Sequence, residues 1–310
     1  MQDFLLLYLT MQTVLVTGAN GFVGSYIVTE LLEQGYRVIA SGSADQHITN
    51  HDPNFCYQRL NFTNGAEVAA VFSKWKPDVV VHSGAMSKPD DCELNKQLAF
   101  STNVEGTKHL LAHSSPLNAH FIFLSTDFVF DGKKGMYKEE DERSPVNYYG
   151  ETKLLAEDIT MNYSAEWSIV RTILVYGQAK GAKESFLESV VRAAKEHKPL
   201  RIFNDQVRMP TYVGDLAKGI AAIITKKANG IYHLSGKDAM TVYEAACKAT
   251  AFNGLDTSLI APILEGDLLA PAKRPKRTGF ELTKAKNGLG YEPVDFLEGL
   301  RKTFASNEQS

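Results

Sequence analysis

Glycines at 18, 21 and 24 sit between the apolar run Val14-Leu15-Val16-Thr17 and a stretch beginning Ser25-Tyr26-Ile27-Val28, and they constrain this chain more than any other feature. A strand that ends in Gly-x-x-Gly-x-x-Gly and passes straight into a helix leaves bare backbone where the chain turns. A pyrophosphate can then approach closely, and the free amides at the helix N-terminus receive its charge. Three glycines alone also suit a tight packing turn. The strand, turn and helix context at what reads as the first strand of a sheet favours the phosphate cradle. Gly18, Asn20, Gly21, Phe22, Val23 and Gly24 are therefore expected to hold a dinucleotide.

From Thr13 to about Arg171, short β-rich runs alternate with longer amphipathic stretches, the pattern of a parallel sheet covered by helices on both faces. Strands are expected at Val14–Thr17, Arg37–Ser41, Phe55–Leu60, Val79–Ser83, His120–Leu124 and Ser168–Thr172. Helices are expected after Asn20, after Asn64, across Glu93–His113 and across Tyr149–Asn162. Beyond Gly177 the alternation loosens into helical stretches near Glu184–Glu196, Val213–Thr225 and Val242–Ala251, with strands near Leu200–Phe203 and Gly230–Leu234. The expected architecture is α/β: a Rossmann-like doubly wound parallel sheet over residues 11–177, interdigitated with a smaller C-terminal substrate-binding α/β region over 178–310.

A chain of 310 residues that is 44% hydrophobic can bury a core of that size. Its net charge of -3, from 33 basic and 36 acidic side chains, offers no broad attraction to nucleic acid or to an anionic membrane. Any phosphate must be held locally, and the basic run Lys273–Arg277 reads as a local anion site or a solvated loop. Cys56, Cys92 and Cys247 match neither a metal-ligand spacing nor a disulfide framework; they read as packing residues in a reducing cytoplasm, and no metal site is expected. The apolar run Phe4–Leu9 is too short to span a bilayer and lacks the flanks of a signal peptide. Met11 directly precedes the first strand and reads as an alternative translation start, which leaves residues 1–10 outside the functional reading.

The second strand ends Ile39-Ala40-Ser41-Gly42-Ser43, with no acid until Asp45. An acid there would bond both ribose hydroxyls of NAD, whereas an uncharged position leaves room for a 2′-phosphate. Ser41 and Ser43 thus favour NADPH, with NADH still compatible. Asn61-Phe62 follows the third strand, where an acceptor and an apolar side chain suit an adenine. Ser83, Gly84 and Ala85 follow the fourth, where small residues let a ribose pass or simply form a packed loop. Asn103 reads equally as a brace for the site or as an ordinary polar helix residue.

Tyr149 and Lys153 stand four apart and project from one helix face. An ammonium beside a phenol is expected to lower the tyrosine pKa and make it a proton donor or acceptor. The strand before them ends Ser125-Thr126-Asp127, at the sheet edge where the glycine turn must lie. The Thr126 hydroxyl is placed to polarise a carbonyl, and Asp127 reads either as a bond to a sugar hydroxyl or as a turn-capping carboxylate.

These segments, with Ser125-Thr126-Asp127-Phe128-Val129-Phe130-Asp131-Gly132, Val170-Arg171-Thr172, Tyr176-Gly177, Pro210-Thr211-Tyr212, Asp215-Leu216-Ala217 and Arg274-Pro275, resemble the extended short-chain dehydrogenase/reductase superfamily and, within it, the dTDP-4-dehydrorhamnose reductase family. The resemblance runs from Met11 over nearly the whole chain. It implies hydride transfer from NADPH to C4 of a dTDP-4-keto-6-deoxyhexose, giving dTDP-rhamnose, with Tyr149 as proton donor, Lys153 on the nicotinamide ribose and Thr126 on the oxygen. Asp127, Arg208, Pro210, Thr211 and Arg274 would contact the substrate. Arg208-Met209 stand where the family has small residues. Asp127-Phe128 lacks the glutamate that dehydratases of this superfamily use. An epimerase, or a non-catalytic NADP-binding regulatory subunit, is the alternative, and a homodimer is compatible with any of these.

Overall fold

The computed structural model describes residues 11–305 apart from 47, 49, 180–183 and 268. The expectation about residues 1–10 lies outside them. Seven strands form one parallel sheet in the order Gly230–His233, Trp167–Thr172, His120–Thr126, Val79–His82, Thr13–Thr17, Arg37–Gly42, Phe55–Arg59. The chain winds outward from Thr13–Thr17 in one direction and then returns to its other side at Val79–His82. A crevice opens beyond the carboxyl ends of strands at such a switch point.

Side chains alternate across the sheet and divide the core into two layers. Val14, Val16, Val38 and Ala40 pack against Ile27, Leu31, Leu216 and Ile220 of the helices Phe22–Glu33 and Val213–Lys226. Leu15, Ile39, Val80, Phe121 and Phe123 face Val68, Phe72, Leu110 and Ala156 on the other side. Those last four come from the helices Gly65–Trp75, Gly106–Ser114 and Tyr148–Met161. The apolar runs of the sequence are thus strands buried on both faces, as a parallel sheet requires.

Two departures from the sequence reading bear on the cleft, besides elements such as Ile260–Ile263 and Phe296–Phe304 that it did not foresee. The strand Gly230–His233, expected in the smaller region, is the seventh strand of the main sheet and pairs with Trp167–Thr172 through Ile231 opposite Ile169. A short apolar run carries no mark of which sheet it will join. The single helix expected across Glu93–His113 is broken into Pro89–Leu94, Lys96–Phe100, a π-helical turn Ser101–Glu105 and Gly106–Ser114. The wider turn carries Asn103, buried, whose side-chain oxygen accepts from Met86 N–H at 2.8 Å. Its amide nitrogen donates to the Met86 carbonyl and to Thr152 Oγ1, both at 3.0 Å.

The smaller region is built from the helices Phe186–Lys195, Val242–Phe252 and Phe296–Phe304 and the strand pair Leu200–Phe203 with Ile260–Ile263. Capping boxes, Ser185 with Glu188 and Thr241 with Glu244, start the first two helices. No described helix is long and apolar enough to cross a membrane.

A buried ionic cluster ties the helix Tyr148–Met161 to the sheet. Glu157, 0% exposed, accepts from Arg171 Nε at 2.9 Å and Nη2 at 2.8 Å, from Arg143 at 3.1 Å and from Ser125 Oγ at 2.6 Å. Burial opposes the Glu157 charge, but Arg171 foremost, with Ser125 and Arg143, holds the carboxyl below the usual range. Arg171 also donates to the Glu139 carbonyl at 3.1 Å. Removing one partner strands a buried charge, so Arg171→Met is expected to cost about 3–5 kcal/mol in urea unfolding. A loss below about 1 kcal/mol would deny the pair that role.

Buried histidines set a second expectation. Burial, aided by Lys153, lowers His82 to about 3, and burial lowers His120 to about 4 against the opposing Glu166 charge. In the unfolded chain both take up protons near pH 6.5. The unfolded state therefore binds more protons below that value, and stability present above about pH 6.5 is lost as the pH falls towards 4. Melting temperatures between pH 7.5 and 4.5, compared with those of His120→Gln, test this: the variant should lose less on acidification.

Candidate active site

The glycine turn is built by close backbone contact. Gly18 has φ +69, and a Cβ on it would lie 2.7 Å from the Gly84 Cα. A Cβ on Gly24 would meet the Gly18 carbonyl oxygen at 2.2 Å. The turn after the first strand thus lies directly on the loop after the fourth, and the helix starts against the turn. Gly21 caps that helix without a side-chain bond, and the first helical bond runs from Ser25 N–H to the Gly21 carbonyl. The amides of Phe22, Val23 and Gly24 precede it, at the wall of a cleft of about 950 Å³ that also contains Thr126, Asp127, Tyr149 and Lys153. A cradle that any Cβ would fill, at a helix N-terminus, fits a dinucleotide pyrophosphate.

The other expected cofactor residues divide into those that line the cleft and those that support it. Ser43, Phe62, Ser83, Gly84 and Ala85 line it, together with Gly42 and Ala44, which were not expected there. Ser41 is buried, with its hydroxyl donating to the Val16 carbonyl at 3.2 Å, so the chain presents the next residues instead. Asn20 donates to the Asp45 carbonyl at 2.9 Å and to the Tyr57 hydroxyl at 2.8 Å; Tyr57 donates to the Ala44 carbonyl at 2.6 Å. This knot pins the loop after the second strand. The Asn61 side chain accepts from Thr63 in a turn leading into the helix Gly65–Trp75, while the Phe62 ring is wedged against Gly84 and Gly106. Asn103 does not line the cleft; it holds the Met86 backbone and Thr152 of the helix that carries Tyr149 and Lys153.

Asn147 starts the helix Tyr148–Met161 by accepting from Gly150 N–H at 2.9 Å. A Cβ on Gly150 would lie 2.2 Å from the Phe128 carbonyl oxygen, so the first helical turn presses on the segment after Thr126. That contact places Tyr149 beside Thr126. One turn on, Lys153 donates to the Leu124 carbonyl at 2.7 Å and sits 3.9 Å from the centre of the Phe123 ring. Burial lowers Lys153 to about 7, with Glu157 opposing.

The expectation that Lys153 lowers the Tyr149 pKa is overturned. Burial pushes the phenol well above its usual range; the Thr126 side chain opposes this, and the Asp127 and Cys92 charges add to it. Tyr149 is a protonated phenol over the whole neutral range. That suits a donor better than a base.

Asp127, also buried, accepts from Thr126 and Thr278 and faces Arg208 Nε at 3.6 Å. Burial raises its carboxyl pKa and Arg208 foremost opposes this. Arg208 spends its terminal nitrogens on the Val207 and Pro275 carbonyls, and Arg274 is paired with Asp90 at 2.6 Å; both line the cleft. Pro210 and Thr211 do not. Thr211 donates to the Ile173 carbonyl at 2.6 Å and pairs with Val175, behind the wall.

Sequence reasoning missed Arg201, Phe203 and Gln206, which line the far end of the cleft. The Gln206 side-chain nitrogen is buried and without a hydrogen-bond partner among the described residues. Glu157 had a signal that was overlooked, since 149, 153 and 157 continue one helical stripe. Among the described residues no cluster of His, Cys, Asp and Glu is placed to hold a metal ion.

Comparison with known proteins places this geometry. The family described as RmlD substrate binding domain matches residues 11–308. The dTDP-4-dehydrorhamnose reductase of Aggregatibacter actinomycetemcomitans is 30% identical over 96% of this chain and 100% of its own length. Methionine adenosyltransferase 2 subunit beta of Xenopus tropicalis is 30% identical over 93% of this chain and 86% of its own. A crystal structure of dTDP-4-dehydrorhamnose reductase from Bacillus anthracis in complex with NADP superposes with a TM-score of 0.84 at 27% identity, covering 96% of this chain and 99% of that one. Full-length likeness in sequence and in fold leads to one conclusion: the chain belongs to the RmlD substrate binding domain family, on the extended short-chain dehydrogenase/reductase fold.

Proposed function

We propose that the protein reduces the keto group of a 4-keto-6-deoxy nucleotide sugar with NADPH, and that dTDP-4-dehydrorhamnose is its substrate. The observation that carries this reading is the convergence of Thr126, Tyr149 and Lys153 on the cleft that also contains the glycine turn. The bound dinucleotide supplies the hydride. The chain's own groups do the rest: the Thr126 and Tyr149 hydroxyls receive the carbonyl oxygen, and Tyr149 gives it a proton as negative charge develops. Lys153, whose proton burial loosens, orients the nicotinamide ribose and returns a proton to Tyr149. Asp127 holds a sugar hydroxyl, while Arg208 and Arg274 face the diphosphate from walls that Pro210 and Thr211 back.

A second reading rests on the relatives named as a subunit of methionine adenosyltransferase, which match this chain about as well as the reductase does. In that case the cleft binds a dinucleotide without turning over a sugar. Mixing the protein with NADPH and dTDP-4-dehydrorhamnose separates the two. Stoichiometric NADPH oxidation that falls by about 10²–10⁴-fold in Tyr149→Phe supports the reductase. Binding of NADPH without oxidation moves the assignment to the subunit, and turnover of the sugar without net oxidation moves it to an epimerase.

Lys153 gives a pH prediction independent of turnover. Its pKa is lowered by burial from 10.5 to about 7, so between those values the unfolded chain holds a proton that the folded chain lacks. Stability from this group therefore rises with pH across that window and is lost as the pH falls through 7. Urea unfolding at several pH values should show a shallower rise for Lys153→Met than for the wild type; parallel slopes would refute the buried, near-neutral amine.

A further inference from the structure

No arginine follows the second strand closely, and the first charged residue after it is Asp45, yet the structure brings a cation to that corner from the neighbouring strand. Arg59 ends the strand Phe55–Arg59 and lies opposite Gly42 in the ladder. Tyr57 and Arg59 share one face by strand alternation. Both reach the same loop: the Tyr57 hydroxyl donates to the Ala44 carbonyl at 2.6 Å, and Arg59 Nε donates to the Ser43 carbonyl at 3.1 Å. Ser43 and Ala44 line the cleft beside the glycine turn.

The Nε bond fixes the plane of the guanidinium, and its two terminal nitrogens make no ion pair among the described residues. Arg59 is exposed, so no packing role accounts for it. Asp45 lies in the same corner, where its charge reaches Tyr57 together with that of Arg59. A phosphate could settle there only beside a cation that offsets that carboxylate.

We propose that Arg59 selects NADPH over NADH by placing its terminal guanidinium nitrogens on the 2′-phosphate of the adenosine ribose. This rests on the dinucleotide reading given above. A planar fork suits a phosphate better than the serine hydroxyls of this loop. The arginine comes from the third strand, and the Tyr57–Asn20 knot holds the Ser43 carbonyl that aims it.

Calorimetric titration of the full chain with NADPH, NADH, 2′,5′-ADP and 5′-AMP tests this without turnover. In Arg59→Gln the dissociation constants of NADPH and 2′,5′-ADP should rise about tenfold or more, while those of NADH and 5′-AMP stay within about twofold. The salt dependence of NADPH binding should also become shallower. Equal losses for all four ligands, or none, overturn the proposal, as does a wild type that binds NADPH no more tightly than NADH. Wild-type protein that binds none of them overturns the dinucleotide reading itself. Circular dichroism of the variant, and the partial recovery expected of Arg59→Lys, separate a lost contact from a lost fold.

Discussion

The pairing of Glu157 with Arg171, in a place water does not reach, is the constraint on which the rest of the site depends. Two ions withdrawn from solvent lose several kcal/mol of hydration each and recover it only if every polar atom is matched. Here the carboxylate takes donors from Arg171, Arg143 and Ser125. Those donors come from two adjacent strands and the loop ahead of the helix, so matching all of them allows one position of the helix along the sheet. Tyr149 and Lys153 lie two turns and one turn before Glu157 on the same stripe. Their height above Thr126, the neighbour of Ser125, follows from that anchor.

A second set of contacts acts at the other end of the cleft, and it works by removing atoms. Gly18 against Gly84, Gly24 against Gly18 and Gly150 against Phe128 are approaches that a methyl group would prevent. The first two let the glycine turn, the loop after the fourth strand in chain order and the helix start meet, and the third brings the helix Tyr148–Met161 down onto the segment after Thr126. Between these backbone contacts and the buried ion pair, the cleft holds a phenol that burial keeps protonated and an amine that burial brings close to neutrality. One dry environment thus acts in opposite directions on an acid and a base, favouring the neutral form of each.

What could be read in the sequence was what is local. The glycine turn, six of the strands and the Tyr149–Lys153 spacing are each written within about ten residues, and each is present in the structure. What escaped depended on partners far along the chain. Gly230–His233 was a short apolar run whose sheet is decided by Trp167–Thr172; the long helix breaks at Asn95, whose backbone is not helical, and widens at Ser101–Glu105, where Asn103 bonds to Met86 and Thr152. Ser41 looked available because strand alternation does not say which face meets the Val16 carbonyl. The sign of the Tyr149 shift was misjudged because a neighbouring lysine is visible in sequence and the depth of burial is not.

The strand Gly230–His233 also decides where this chain can be cut. It covers the hydrogen-bonding edge of Trp167–Thr172, through pairs such as Tyr232 with Val170. A fragment ending after the sixth sheet strand in chain order would contain the glycine turn, Thr126, Tyr149 and Lys153, and would look complete as a dinucleotide binder. It would nonetheless present a bare, apolar β-edge, a template on which copies of the fragment would stack. The six-residue edge of Trp167–Thr172 is therefore replaced by a shorter, four-residue one on a strand encoded more than fifty residues downstream of the one it protects.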